Sequence, residues 1–242
     1  MSRVKYKIGH KNNLISSGLL MKKASNYNKL IFDKISNYIV KGNNLEIGPG
    51  TGNFSELIKK KSKKLTLIDE KKASVKFLKK KFVGDSIISI TESTLFNLKN
   101  KKKFDTIIML NVLEHIKDDH SALKKLLSLL KKNGYLILQV PSFNFLYSNY
   151  DELVGHYKRY VKKDFIDIKN KMNLNIKDMY YFNFIGAFGW WVNYCLLKKT
   201  EKGKSNTAKQ LKFYDKYLVP LIKILDFKFI NFGISLFVII KK

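Results

Sequence analysis

The sequence predicts an α/β fold in which a doubly wound, mostly parallel sheet carries helices on both faces. Short apolar runs alternate with segments of helical periodicity five times between residues 26 and 140. One run, Phe104–Leu110, is predominantly apolar, as expected of a central parallel strand that is buried on both faces. A turn with three glycines, at residues 48–52, follows the first apolar run. Ligands bind beside such turns at the carboxyl ends of the strands.

The elements follow one another along the chain in a regular order. Helices are predicted at residues 26–40, 54–61, 71–82, 118–132, 162–172 and 211–225, the last kinked at Pro220. Strands are predicted at residues 43–47, 65–69, 87–90, 104–110, 135–140, 175–184 and 233–242. Residues 198–210 read as a polar linker. Two segments interrupt the alternation, a lid-like insertion at 142–161 and a helical, aromatic insertion at 185–231.

Length and composition predict one globular domain. The chain has 242 residues, 45% of them hydrophobic, which suffices for a full core. Residues 1–25 are polar and basic, and residues 1–11 lack an apolar signal core, so we predict a loose N-terminal arm before a single domain at 26–242. Cys195 is the one cysteine, which excludes an internal disulfide and fits a reducing cytoplasm.

The net charge of +28 suggests an anionic partner. However, only Arg3 and Arg159 among the 47 basic residues are arginine. Arginine is the preferred reader of phosphates and bases, so this composition argues against a dedicated nucleic-acid surface. An RNA-directed enzyme that uses the lysine-rich surface remains an alternative.

The glycine-rich turn has the features of a nucleoside site. Gly48, Gly50 and Gly52 allow a sharp turn and a close approach of the backbone to a ligand, and Asn53 can cap the helix that follows. Glu46 is an acid at the end of the first strand, and Asp69 ends the next strand about 20 residues downstream. An acid at that distance hydrogen-bonds the ribose hydroxyls of a nucleoside cofactor.

These residues resemble a known family. Glu-Ile-Gly-Pro-Gly-Thr-Gly, at 46–52, is similar to the first motif of class I S-adenosylmethionine (SAM) dependent methyltransferases, and Asn-Val-Leu-Glu-His-Ile, at 111–116, is similar to the motif after their fourth strand. The resemblance implies a Rossmann-like, seven-stranded sheet with an antiparallel last strand and SAM as cofactor. It also implies cofactor contacts for Tyr27, for Glu92 or its rival Asp85, and for Asn111, with His115 close to the sulfonium.

The block at residues 151–160, Asp-Glu-Leu-Val-Gly-His-Tyr-Lys-Arg-Tyr, resembles one in bacterial methyltransferases associated with cell-surface glycan and lipid-linked sugar synthesis. Lys158 replaces the first arginine of that block. Two interpretations stay open. Asp151 can orient His156 as a base for a hydroxyl proton, or Asp151 and Arg159 can pair to hold a lid shut. The candidate residues for contact with the acceptor are Tyr147, Asp151, Arg159, Tyr160 and Trp190.

The aromatic insertion permits two further interpretations. Nineteen uncharged residues from 179 to 197 approach transmembrane length, but Asn183, Asn193 and two glycines argue against a span. The segment 211–225 is amphipathic and lysine-rich. It can cover the substrate, or it can lie with Trp190 and Trp191 on a membrane surface.

The sequence thus predicts a cytoplasmic methyltransferase that uses SAM and acts on a small-molecule, sugar or lipid-linked acceptor, at a hydroxyl oxygen. His156 and His115 are the predicted catalytic residues. No cluster of metal ligands stands out in the sequence, so no metal is predicted. The remaining alternative is a non-catalytic subunit with the same fold that docks on a glycosyltransferase or on the inner membrane surface.

Overall fold

The computed structural model describes residues 13–98, 103–198, 204–225 and 230–242. Its centre is a seven-stranded sheet in the order β3-β2-β1-β4-β5-β7-β6. The strands are β1 (Asn43–Ile47), β2 (Lys64–Asp69), β3 (Ile88–Glu92), β4 (Phe104–Leu110), β5 (Leu130–Pro141), β6 (Asn175–Phe182) and β7 (Ser235–Lys241). Strand β7 runs antiparallel to both of its neighbours, and the first five strands are mutually parallel. The predicted fold class is confirmed.

The helices cover both faces of the sheet. They are α1 (Asn13–Lys22), α2 (Ser25–Ile35), α3 (Ser55–Lys59), α4 (Lys72–Lys81), α5 (Asp119–Leu129), α6 (Asn149–Val154), α7 (Lys162–Met172), α8 (Phe184–Trp190), α9 (Lys204–Phe213) and α10 (Val219–Leu225). Consecutive residues of β4 show the two faces: Ile107 packs in one buried cluster and Ile108 in the other. Because a strand that is covered on both sides buries side chains on both faces, β4 is apolar at five of its seven positions, the exceptions being Asp105 and Thr106 near its start.

The site lies where the strand order reverses. Strand β1 pairs with β2 on one side and with β4 on the other, so the loops that follow β1 and β4 diverge and open a crevice at the carboxyl ends of the strands.

Several segments differ from the prediction; strand β6 ends at Phe182 rather than at 184, because Phe184 begins α8. Residues 13–22, expected in a loose arm, form α1, whose Gly18 carbonyl accepts a hydrogen bond from the Asn53 side chain at 2.8 Å; residues 1–12 lie outside the described residues. Helix α5 ends at Leu129 rather than at 132, because Leu130 already pairs with Phe104 of β4. Part of the predicted polar linker is helical, since α9 begins at Lys204.

The kink predicted at Pro220 takes the form of a wider turn. Residues Tyr214–Leu218 are π-helical and connect α9 to α10. Proline lacks an N–H and its ring clashes with the carbonyl of the preceding turn, so the regular helical hydrogen-bond pattern is disturbed next to it. Within the described ranges, no helix has the length and apolar character needed to cross a bilayer.

Candidate functional site

A cavity of about 1480 Å³ opens at the carboxyl ends of β1, β2 and β4. Most residues predicted for the site lie in its wall. These are Tyr27, Glu46, Gly48, Gly50, Asn53, Asp69, Asn111, His115, His156, Arg159 and Trp190. The predicted residues outside the cavity lining are Gly52, Glu92, Tyr147, Asp151 and Tyr160.

The glycines of the turn have two different surroundings: Gly52 packs against neighbouring side chains, and Gly50 borders open space. A Cβ at Gly52 would lie 2.9 Å from both Leu78 and Phe82, so this glycine allows α4 to pack against the turn. A Cβ at Gly50 would meet nothing within 4 Å, and Gly50 has a φ of +57°. Since Gly50 lies in the cavity wall, the space beside it is available to a ligand. The predicted cap by Asn53 is wrong: the residue before α3 is Phe54, and the Asn53 amide binds α1 instead.

Two acids at the strand ends face this space. Glu46 is buried and accepts a 2.6 Å hydrogen bond from Ser55 Oγ. Its burial raises the pKa of the carboxyl to about 7, against the opposing effect of the Ser55 hydrogen bond. Asp69 accepts a hydrogen bond from the Lys71 backbone N–H at 2.8 Å. Burial also raises the pKa of Asp69, although hydrogen bonds from the backbone oppose the shift.

The acid expected after β3 is not in the wall. Glu92 is exposed at the end of β3, and its rival Asp85 pairs with Lys59 at 2.6 Å. Ser93 and Leu95, just beyond Glu92, line the cavity in their place. The loop after β3 therefore supplies a polar and an apolar group to the cavity wall.

The lid-like segment is held by a buried ion pair. Arg159 donates to both oxygens of Asp151, from Nε at 3.0 Å and from Nη2 at 3.1 Å, and both residues are buried. Asp151 also accepts from Ser148 and thereby caps α6. Burial alone would raise the pKa of Asp151, but the hydrogen bond from His156 and the Arg159 charge hold it below its usual value. This is the geometry of the lid interpretation.

The same carboxylate also orients His156. Its Oδ1 lies 2.7 Å from Nδ1 of the imidazole. The base interpretation requires this contact too, so the geometry is compatible with both interpretations of the sequence.

The other residues of this segment hold it to the domain. Tyr147 donates to the His156 carbonyl at 2.9 Å. Tyr160 is buried and contacts Asp119 at 3.3 Å. Lys158, which replaces an arginine of the resembled block, lies 2.6 Å from Asp119. Lys158 therefore forms a single ion pair with Asp119, where an arginine could have formed a bidentate one.

Three ionisable side chains meet on the cavity wall and form what we call the Glu114 cluster: Glu114, His115 and His156. The two imidazole rings are 4.7 Å apart and nearly perpendicular. Burial lowers the pKa of His115 to about 4 and raises that of Glu114 to about 8. The sequence predicts no metal, but the fold brings together three residues that could hold one.

An aromatic wall faces the Glu114 cluster. Trp190 packs against Tyr194 and Tyr150, with ring centroids at 4.4 and 5.4 Å, and its face covers the Arg159 guanidinium at 4.7 Å. Trp190, Tyr194, Tyr150, Phe188 and Phe213 all line the cavity. Asp215 anchors this side, because its carboxylate accepts hydrogen bonds from backbone N–H groups in the first turn of α2.

Glu114 and Asn183 are among the buried polar residues of the wall that the sequence reasoning missed. Glu114 stands inside the Asn-Val-Leu-Glu-His-Ile motif, and a carboxyl among apolar neighbours was the available signal. Asn183 has a φ of +65° and contacts both Tyr27 and Tyr214. Its contacts join distant segments, so no local pattern reveals its position.

The cavity fits the predicted cofactor. The free space at Gly50 leaves room for the cofactor next to the backbone. The buried Asp69 carboxylate could accept hydrogen bonds from the hydroxyl groups of the cofactor. The buried Asn53 Oδ1, which has no hydrogen-bond partner among the described residues, could accept one from an N–H or O–H donor of the cofactor. Typical single-ligand pockets measure roughly 300–1,000 Å³. The larger volume here leaves room for a second molecule beside the cofactor.

Comparison with known proteins gives matches of sequence and of fold. The profile of a family described as "Methyltransferase domain" matches residues 24–191. A ubiquinone biosynthesis O-methyltransferase of Pelagibacter ubique (strain HTCC1062) is 30% identical over 156 residues, which cover 58% of this chain and 64% of that protein. The match thus spans less than two thirds of the relative's length.

Solved structures share the fold. The N-methyltransferase NodS of Bradyrhizobium japonicum WM9, in complex with S-adenosyl-L-homocysteine (SAH), superposes with a TM-score of 0.51 at 21% identity, over 62% of this chain and 74% of that one. A coclaurine N-methyltransferase bound to N-methylheliamine and SAH gives 0.60 at 12% identity, over 89% and 72% of the two chains. At these identities the likeness extends to the fold alone.

Proposed function

The chain belongs to the methyltransferase-domain family, whose methyl donor is SAM, and from this premise we propose that it transfers a methyl group to a hydroxyl oxygen of a small acceptor. The observation that carries the proposal is the shared cavity. The glycine turn and Asp69 form one part of its wall, the aromatic residues form another, and the Glu114 cluster belongs to the same wall.

SAM supplies a methyl group on a positively charged sulfur, so that an acceptor oxygen bonds to the methyl carbon as the carbon–sulfur bond breaks. The chain's own residues align the acceptor and exclude water. The buried Asp151–Arg159 pair fixes α6, and Trp190 closes over that pair. The Glu114 cluster offers polar atoms to the acceptor hydroxyl, since His115 and His156 both line the cavity.

The aromatic wall supports an acceptor with a flat or apolar part. Tyr150, Trp190 and Tyr194 present ring faces and edges, which suit a sugar ring, an aromatic ring or a lipid-linked group. The matched Pelagibacter ubique protein is named an O-methyltransferase, which supports oxygen as the methylated atom. An apolar acceptor would also explain the size of the cavity.

Exposed apolar side chains near the wall support contact with a membrane surface. Phe188 is 65% exposed and Trp191 is 41% exposed, and their rings lie 6.3 Å apart. Such aromatic groups settle at the boundary between lipid and water, where lysines add attraction to anionic lipids. We therefore propose that a lipid-linked acceptor enters from this side.

Incubation of the protein with a lysate of its source and with methyl-labelled SAM tests the proposal. We expect label in the organic phase for a lipid-linked acceptor, or in the aqueous phase for a soluble one, and no label with Gly50→Arg. Label that nuclease removes would instead favour an RNA-directed enzyme. SAH binding without any transfer would favour a non-catalytic subunit.

A further inference from the structure

We propose that the Glu114 cluster binds one divalent transition-metal ion. One ligand atom from each of the three residues lies within 4.8 Å of the others. His156 Nε2 is 3.8 Å from Glu114 Oε1. Two atoms that each bind one ion at about 2.0–2.2 Å can stand up to about 4.4 Å apart, so small side-chain movements bring the set onto one ion. The inference rests on the proposed function, since it concerns the same cavity.

Hydrogen bonds fix both imidazoles in the form that metal binding requires. His156 Nδ1 faces the Asp151 carboxylate at 2.7 Å, and His115 Nδ1 faces the Gly155 carbonyl at 3.2 Å. Both partners can only accept, so each Nδ1 carries the hydrogen and each Nε2 keeps its lone pair. A histidine ligand characteristically donates its second N–H to a carboxylate or to a carbonyl. Both histidines of the cluster have such a hydrogen bond from the second ring nitrogen.

Glu114 supplies the anionic ligand. The side chain is fully buried, and neither of its oxygens has a hydrogen-bond partner among the described residues. An unpaired buried carboxylate is strongly unfavourable, and coordination to a cation is one of the arrangements that compensates it. The missing partner is therefore explained if an ion occupies the space between Glu114 and the two imidazoles.

The local charge balance suits a divalent ion. With neutral imidazoles and with Glu114 in the ionised form that a metal ion binds, Glu114 and Asp151 each contribute one negative charge and Arg159 contributes one positive charge, which leaves one negative charge in total. An added divalent ion makes the balance +1, which favours the ionised form of an acceptor hydroxyl. Two imidazoles and one carboxylate suit Zn²⁺, Mn²⁺, Fe²⁺ or Co²⁺ better than the all-oxygen sites that Mg²⁺ and Ca²⁺ prefer.

A bound ion would explain how the acceptor hydroxyl loses its proton during methyl transfer. A hydroxyl that contacts the ion has a lowered pKa and releases its proton to solvent. Its oxygen then bonds to the methyl carbon while the electrons of the carbon–sulfur bond pass to sulfur, which becomes the neutral thioether. In this arrangement His156 holds the ion and does not itself accept the proton.

Co²⁺ is a suitable probe because its visible absorption reports the ligand geometry. Protein freed of metal with a chelator is titrated with CoCl₂ and then with ZnCl₂, and bound metal is counted by mass spectrometry. The variants are Glu114→Gln, His156→Asn and the control His120→Ala. His120 is half exposed and pairs with Asp119, outside the cluster. SAH binding by each variant verifies its fold.

We expect one Co²⁺ per wild-type chain, a visible spectrum that Zn²⁺ abolishes, and at least a tenfold loss of affinity in Glu114→Gln and His156→Asn but not in His120→Ala. Equal Co²⁺ binding by all four proteins, or none by the wild type, overturns the site. Methyl transfer that persists in a protein that binds no Co²⁺ overturns the metal while the proposed function stands. Co²⁺ binding without transfer leaves the site intact and removes the function.

Discussion

His156 Nδ1 lies 2.7 Å from Asp151 Oδ1, inside the segment that follows β5. This contact joins the lid to the cavity wall, because the same carboxylate binds the Arg159 guanidinium through both of its oxygens. The orientation of the imidazole and the position of the Arg159 guanidinium therefore depend on one buried carboxylate, and removal of that group has consequences for stability.

Substitution of Asp151 should destabilise the protein strongly. Asp151→Ala leaves Arg159 buried and unpaired, and breaking a buried ion pair in this way costs about 3–5 kcal/mol of the free energy of unfolding. The control Asp164→Ala removes only a capping contact, in which the Val161 N–H donates to Asp164 at 2.8 Å, and should cost about 1 kcal/mol. Urea unfolding measures both. Equal costs for the two variants would contradict the central place of the Asp151–Arg159 pair.

Glu46 should make stability depend on pH. Its pKa rises from 4.5 to about 7 on folding, so the protonated carboxyl favours the folded state. That contribution is complete below pH 4.5 and is lost as pH rises through 7. Glu46→Gln should therefore gain stability over the wild type between pH 5 and pH 8, by up to about 3 kcal/mol. Urea unfolding of the ligand-free proteins at both pH values measures the difference.

Ser55→Ala provides the opposite test of the same group. Ser55 Oγ donates to Glu46 at 2.6 Å and favours the charged form. Its removal should therefore cost more stability at pH 8 than at pH 5, and Glu46→Gln should cancel this difference in the double variant. A Ser55→Ala penalty that is the same at both pH values would refute the assignment to Glu46.

Asp215 should control how firmly the aromatic side of the cavity is held. It accepts hydrogen bonds from the backbone N–H groups of Asn26 and Tyr27 at 3.2 and 2.8 Å. Asp215→Ala removes a cap of α2 and should cost about 1–2 kcal/mol. Amide exchange over residues 208–225 should then quicken by roughly 5–30-fold. The control is Asp33→Ala, at an exposed position on the same helix; unchanged exchange in Asp215→Ala relative to this control would count against the anchor.

The sequence predicts the elements whose environment is uniform along their length. Strand β4 has the predicted bounds, because burial on both faces makes it predominantly apolar. Helix α7 also has the predicted bounds, since one of its faces is buried and the other is solvated. Helix α1 was missed because its position depends on a contact of Gly18 with the glycine turn, which no local pattern encodes.

The residues of the site also fall into those that local sequence signals predict and those that they do not. Glu46, Gly50 and Asp69 could be predicted because each stands at the end of a strand with a local signal. The Glu114 cluster could not, since Glu114 and His156 are 42 positions apart and meet only in the folded chain, where the segment after β5 contacts the loop after β4. Glu92 was placed by analogy with other chains, and its side chain is exposed here.

Calorimetric titration of Gly50→Ala and Gly84→Ala with SAH tests most directly whether the space at Gly50 holds SAM. Both glycines have a positive φ, +57° and +75°, and a Cβ at either meets nothing within 4 Å, but only Gly50 lines the cavity. Each substitution should cost about 1–2 kcal/mol of backbone strain. We predict that Gly84→Ala binds SAH as the wild type does and that Gly50→Ala loses at least tenfold in affinity. Equal affinity in the two variants, or no SAH binding by the wild type, would contradict the claim.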